Sequence, residues 1–251
     1  MKKEQLMEDV RVTTWSHSSY GDIWPMYYGQ FKKHAPDLKH AIFIEKESDG
    51  IPEHCTQIIN NENDPFYRRF LDSLKQVEEQ NIIYMHEDFV LYDKVQINWL
   101  RNIKDFLNNS DYSFVRLIKS GVEGGSLLDE ELGIWEIPRG CQYLFSTNAA
   151  IWKKNDFVKL YDFFKPGGTL DSELYGSDAS RALGIKGCYI YKGEPKRGAL
   201  HYDSTLFPYM SSALTGYSLG GSSRWLMKHY EQELQPLFET YNIDPAIRGT
   251  I

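Results

Sequence analysis

The chain has 251 residues, 41% of them hydrophobic and 25% charged, with a formal net charge of −7. That length builds a real core without disulfides or a structural metal, the acidic balance without any long Lys/Arg run disfavours nucleic acid as a partner, and no apolar stretch approaches the roughly 18 residues of a membrane span. Cys55, Cys141 and Cys188 lack CxxC spacing, and MKKEQLMEDVRV lacks a signal-peptide hydrophobic region, so a reducing, cytoplasmic location is expected.

Val10–Trp15 reads as a first strand, rich in β-branched residues. Residues 23–33 read as a helix and 40–44 as a second, buried strand. Asp64-Pro65 predicts the next helix start, with the acid as N-cap and proline at the first helical position. Phe66, Phe70, Leu74 and Val77 then recur on one face. Residues 81–85 form a continuous apolar run, as a parallel strand covered on both sides requires. Asp93 is placed to cap a further helix with Val95, Trp99, Ile103 and Phe106 inward. This alternation predicts an α/β fold with an open, mostly parallel sheet and helices on both faces. Ligands of such sheets bind beyond the carboxyl ends of the strands. Here those ends carry Thr14-Trp15-Ser16, Glu45-Lys46 and His86-Glu87-Asp88.

From Tyr112 the pattern turns richer in strands, at 114–118, 134–137 and 143–146. Helices follow at 155–164 and 171–183, then a strand at 188–191 and a terminal helix at 222–241, which Pro236 is expected to kink or end. No repeat or linker interrupts the chain, so one domain over 1–251 is expected.

The strongest chemical signal is His86-Glu87-Asp88. Adjacent acids at a strand end face opposite ways, and carboxylate oxygens suit a hard cation that shares its shell with phosphates. Solvated loop acids are the plainer alternative. FYRRFLDSLKQVEEQNIIYMHEDFVL resembles the part of GT-A glycosyltransferases where a helix feeds the strand bearing a DxD-type motif. In the same order, TTWSHSSYGDIWPMYYGQFKK is similar to the first strand, loop and helix of small bacterial and viral sugar transferases. FVRLIKSG resembles the strand beyond the acidic motif, CQYLFSTNAAIWKKNDFVKLYDFF the acceptor-side strand and helix, and LDSELYGSDASRALG the helix after it.

The resemblance implies a GT-A fold with a nucleotide-sugar half at 9–110, an acceptor and catalytic half at 111–205, and a C-terminal lid and helix at 206–251. It implies transfer of a sugar from a nucleotide-diphosphate donor, a UDP-sugar foremost, to a carbohydrate or glycoconjugate hydroxyl, with inversion. Mn²⁺ or Mg²⁺ would be held by Asp88 with Glu87 or His201, and Asp203 is an alternative to His201. His86 stands where the family's first Asp is usual. Thr13, Thr14, Trp15 and Tyr20 would contact base and ribose. Glu173 would be the base, with Asp171 and Asp178 as rivals. Arg69 with Arg68, or Lys196 with Arg197, would offset charge on the departing diphosphate, and Arg224 beside Trp225 in SLGGSSRW would belong to the lid. For each of these residues a packing or surface role is the competing reading.

Rival classes lack their signatures. TTWSHSSYG has no G-x-G-x-x-G for a dinucleotide-binding enzyme and no Gly-rich phosphate loop for a sugar nucleotidyltransferase, and no G-x-S-x-G elbow occurs. A glycoside hydrolase needs only a carboxylate pair, but the parallel beginning favours transfer. A catalytically inactive GT-A-like binding module is the non-enzymatic alternative.

Overall fold

A computed structural model of the chain describes Met7 and residues 9–197, 201–210 and 221–243, apart from the side chains of 221–228. Its centre is a nine-stranded sheet of β1 (Val10–Trp15), β2 (Lys39–Ile44), β3 (Cys55–Ile59), β4 (Asn81–His86), β6 (Phe114–Arg116), β7 (Leu127–Asp129), β8 (Ile134–Glu136), β9 (Ala150–Lys153) and β10 (Gly187–Ile190), in the order β3-β2-β1-β4-β9-β6-β10-β8-β7. Strands β1 to β4 are mutually parallel, and β10 is parallel to β6. β9 enters antiparallel between β4 and β6. A second, two-stranded sheet pairs β5 (Val90–Leu91) with β11 (Tyr209–Met210).

Helices cover both faces, as the alternation predicts. Helices α1 (Trp24–His34), α3 (Ile97–Asn108) and α6 (Gly221–Tyr241) pack on the face built from Val10, Val12, Ile42, Ile83, Met85 and Ile151. Helices α2 (Phe66–Lys75), α4 (Lys154–Phe164) and α5 (Thr169–Leu183) cover Ala41, Phe43, Tyr84, Phe114 and Trp152 on the other. Successive strand residues face opposite sides. Hence Ala41, Thr13, Tyr84, Ala150, Arg116 and Tyr189, register partners in turn, line one cross-sheet row under α2, α4 and α5.

Several boundaries differ from the sequence reading. Pro65, not Asp64, is the N-cap of α2, and its carbonyl accepts from the Arg68 and Arg69 amides. Asp93 does not cap α3: Val95 N–H donates to His34 O and Gln96 N–H to Leu206 O, which holds the segment extended until Ile97. Residues 143–146 are not a strand, because side chains occupy their backbone groups. Arg116 donates to the Tyr143 carbonyl at 2.7 Å, and Phe145 N–H donates to Ser177 Oγ at 3.0 Å. Helix α6 continues through Pro236 and departs from helical geometry at Tyr230 instead. There Arg197 takes the His229 carbonyl, which frees the following turn from the ladder. The residue pattern did not anticipate β3, β5, β7, β9 or β11; of these, β3 and β7 lie at the edges of the large sheet. The lid expected around SLGGSSRW, with Arg224 and Trp225, falls outside the described residues and side chains.

Candidate functional site

The apolar run of β4 ends at His86, and a turn closed by Phe89 N–H donating to His86 O carries Glu87 and Asp88. Asp88 is half-buried as a residue, and burial of its carboxyl pushes it up to about 7, opposed only by the hydrogen bond that the carboxyl accepts from its own backbone N–H. Glu87 is 7% exposed. It adds to the burial that raises the phenols of Tyr27 and Tyr28 on α1. His86 packs against Tyr84 and Phe89, burial lowers its imidazole to about 4, and Nε2 has no hydrogen-bond partner.

The neighbouring end of β1 divides the residues expected to hold a nucleotide. Thr14 is buried and its hydroxyl is paired with Tyr27 Oη at 2.7 Å. Thr13 faces the opposite side, beside Tyr84, and its Oγ1 is buried without a partner. Trp15 stays half-exposed, edge-on to Phe66 at 4.9 Å. The Arg69 guanidinium lies 5.2 Å from the Trp15 ring centroid, and its Nε donates to Asn60 Oδ1 at 2.7 Å. Arg68, one position earlier, is exposed. Tyr20 ends a short 3₁₀ turn and packs against the α1-side core.

Across the sheet, α5 clasps the 142–147 loop. Ser177 Oγ–H donates to Gln142 O at 2.8 Å, and four residues earlier Glu173 Oε1 accepts from both the Thr147 N–H and the Thr147 hydroxyl. Residues four apart share a helix face, so Glu173 and Ser177 form one inward-facing pair. Asp178 lies off that face, 78% exposed in its side chain and paired with Arg181, while Asp171 accepts from Gly167 N–H at 2.8 Å. Glu173, and not Asp171 or Asp178, therefore reaches the loop that leads into β9.

Arg116, which sequence reasoning did not single out, is 1% exposed. It donates to the carbonyls of Ser120, Tyr143 and Leu144. Burial lowers its guanidinium to about 10, and the Glu173 charge opposes that shift. The available signal was an arginine inside the apolar run FVRLI, since arginine is almost never fully buried unpaired. Tyr84 ties the two halves together. Its hydroxyl is buried without a partner, and burial, then Tyr161, Glu87, Glu173 and Asp88, hold the phenol well above its ordinary value. Acids from the β4 turn and from α5 thus bear on one buried phenol near the carboxyl end of β4.

His201 pairs its backbone with Ser120, and burial, helped by the Arg116 charge, lowers its imidazole to about 4, leaving a neutral ring. Asp203 is engaged elsewhere, accepting from Tyr92 Oη and paired with Arg197, which also binds Glu233. Among the described residues, the one group of three ligand-type side chains with donor atoms within 4.8 Å of one another is His17, Glu45 and Glu62. Asp88, Glu87 and His201 form no such group. Within that other group, Ser19 N–H donates to His17 Nδ1, and Nε2 lies 3.6 Å from Glu45 Oε1 and 3.5 Å from Glu62 Oε1.

No protein-family model and no curated protein sequence matches this chain. The solved structures similar to it are nucleotidyltransferases and GT-A glycosyltransferases. A UDP-glucose pyrophosphorylase complexed with UDP-glucose is 12% identical, covers 88% of this chain and 98% of its own, and has a TM-score of 0.50. The galactosyltransferase LgtC, in complex with donor and acceptor sugar analogs, is 12% identical over 71% of this chain and 72% of its own, at a TM-score of 0.44. A mannosyltransferase from Pyrobaculum calidifontis, in complex with GDP-Man and Mn²⁺, is 14% identical over 76% of this chain and 58% of its own, at 0.43. At these identities the likeness is one of fold, and that fold is a mixed α/β layer with a large, mostly parallel sheet flanked by helices.

Proposed function

We propose that the chain is a glycosyltransferase that moves a sugar from a nucleotide-diphosphate donor to a hydroxyl acceptor, with inversion and with a divalent cation. What supports this reading is that Glu87, Glu173 and Asp88 all bear electrostatically on the buried Tyr84 phenol, while Glu173 is oriented by Thr147 and Asp88 follows the end of β4. Two carboxyls with distinct surroundings are what metal binding and general-base chemistry require separately.

Asp88 fits a hard cation. Its carboxyl is buried without a compensating charge nearby, which is the deficit a cation fills, and one or two carboxylates with substrate phosphates make a usual Mg²⁺ shell. When bound, the cation would offset the charge of the diphosphate. Glu173, oriented by Thr147, would take the proton from the acceptor hydroxyl as that oxygen attacks the anomeric carbon. Arg69, held by Asn60 over Trp15, would face the donor, with Trp15 and Thr13 beside it. A UDP-sugar is the first donor to test.

The fold shared with the UDP-glucose pyrophosphorylase favours one second reading, nucleotidyl transfer. The loop after β1 speaks against it: Ser18 N–H is bound to the Glu45 carboxylate and Ser19 N–H to His17, so these amides are not free to cradle a triphosphate. Incubation with nucleotide sugars, Mn²⁺ and a saccharide panel, followed by product analysis, separates the two. Glycoside product that disappears in Asp88→Ala and Glu173→Gln, with donor binding kept in the latter, supports transfer. Sugar 1-phosphate and nucleoside triphosphate formed from added pyrophosphate would overturn it, as would near-normal transfer by Asp88→Ala.

A further inference from the structure

Beyond the carboxyl end of β6, a cavity of about 370 Å³ is lined by residues 121–123, 141–143, Lys196 and Tyr202. Two of its walls hang on one side chain. Arg116 holds the Ser120 carbonyl at the foot of the first and the Tyr143 carbonyl in the second. The third wall is locked by the Ser120–His201 and Lys196–Tyr202 backbone bridges. Gly121, at φ +63, lets the Tyr143 ring lie against bare backbone, where a Cβ would come within 2.7 Å of the ring. The cavity is therefore built by buried, fixed contacts rather than left between loops.

Its chemistry is mixed. Tyr143 and Tyr202 contribute aromatic rings, and Gln142 an amide. Lys119, packed between the rings of Tyr191 and Tyr202 at 4.3 and 4.9 Å, keeps the Tyr202 ring in place. Glu123 and Lys196 bring opposite charges to the same space, and neither belongs to an ion pair among the described residues. A ligand of either sign meets one like charge beside one opposite charge, so neither sign gains a net preference. Hydroxyl groups both donate and accept, so a polyhydroxylated, uncharged ligand satisfies both, while its C–H bonds lie against the negative faces of the tyrosine rings. The volume sits at the small end of ligand pockets, at about 300 Å³ and above.

We infer that this cavity binds one or two uncharged sugar units, the terminal residues of the acceptor. The assignment rests on the transfer reading above, and it joins to it through Arg116, whose charge interacts with Glu173 while its hydrogen bonds hold the cavity walls.

Saturation-transfer NMR on the full chain tests it with methyl hexopyranosides, methyl glucuronide and glucosamine as probes, with UDP and GDP binding in Mn²⁺ followed by thermal shift on the same samples. The neutral glycosides are expected to bind, and Tyr202→Ala to weaken them about tenfold while nucleotide binding holds. Glu123 is exposed, so Glu123→Lys keeps the fold and is expected to turn the preference towards the glucuronide. Preference of the unaltered chain for a charged sugar would overturn the inference. So would nucleotide binding without any saccharide binding, or neutral binding indifferent to both substitutions. Saccharide binding without nucleotide binding would instead sink the transferase and leave the sugar site standing.

Discussion

Thr147 presents two donors to one oxygen of Glu173, from its amide and its hydroxyl. The amide contact belongs to the loop and survives substitution, whereas the hydroxyl does not. Thr147→Val removes only the latter at constant shape. Hydrogen bonds to charged groups contribute about 1.5–3 kcal/mol to stability, so the melting temperature should fall, transfer should fall with it as Glu173 loses its orientation, and Thr147→Ser should recover both. An equal loss in Thr147→Ser would show that Glu173 is held by something else. His40 offers a different residue-scale test. It is 2% exposed within a cage of Tyr27, Tyr28 and Phe31, and burial lowers its imidazole to about 3. Because the folded state resists a proton that the unfolded chain accepts near pH 6.5, its contribution is fully present above that value and is lost as pH falls towards 3. Denaturant titrations of His40→Phe should show a shallower loss of stability between pH 6.5 and 4 than the parent. Sequence reading found Glu173 and Asp88 as chemical types in suggestive phrases. It passed over Arg116, whose one local signal was its place inside an apolar run and whose partners Tyr143 and Leu144 lie far along the chain.

At the scale of elements, the apolar runs of β2 and β4 were legible because a strand covered on both faces is hydrophobic throughout, and β1 through its β-branched residues. Residues 143–146 look equally apolar and form no strand, since α5 and Arg116 supply the partners a neighbouring strand would have supplied. The same displacement explains Asp93 and Tyr230, where a distant backbone group or Arg197 decides the local conformation. The clasp depends on Gly176, where an added Cβ would come within 2.3 Å of the Phe145 ring. Gly176→Ala should therefore cost about 1–3 kcal/mol as the loop is pushed from the helix. Because Glu173 lies on that helix, transfer should fall more steeply than stability does. Thermal melts beside rate measurements decide this, and unchanged rates would separate the loop from the reaction.

For the whole molecule, the parallel half followed from strand–helix alternation, whereas the strand order did not. No periodicity announces that β9, a four-residue strand, leaves its sequence neighbours to lie antiparallel between β4 and β6. That insertion sets the cross-sheet row in which Thr13, Tyr84 and Arg116 share a face, so the site's two halves exist only once β9 is in place.

The late strand has a consequence on the ribosome. Asn81 of β4 finds its partner in Lys153. At the roughly 5–20 residues per second of synthesis, the edge of β4 waits for several seconds with its hydrogen-bonding groups unmatched. An open apolar edge invites pairing with other chains. A chain arrested before Ala150 should sediment as aggregate while one extended past Lys153 stays dispersed, and slower translation between those limits should raise the aggregated share.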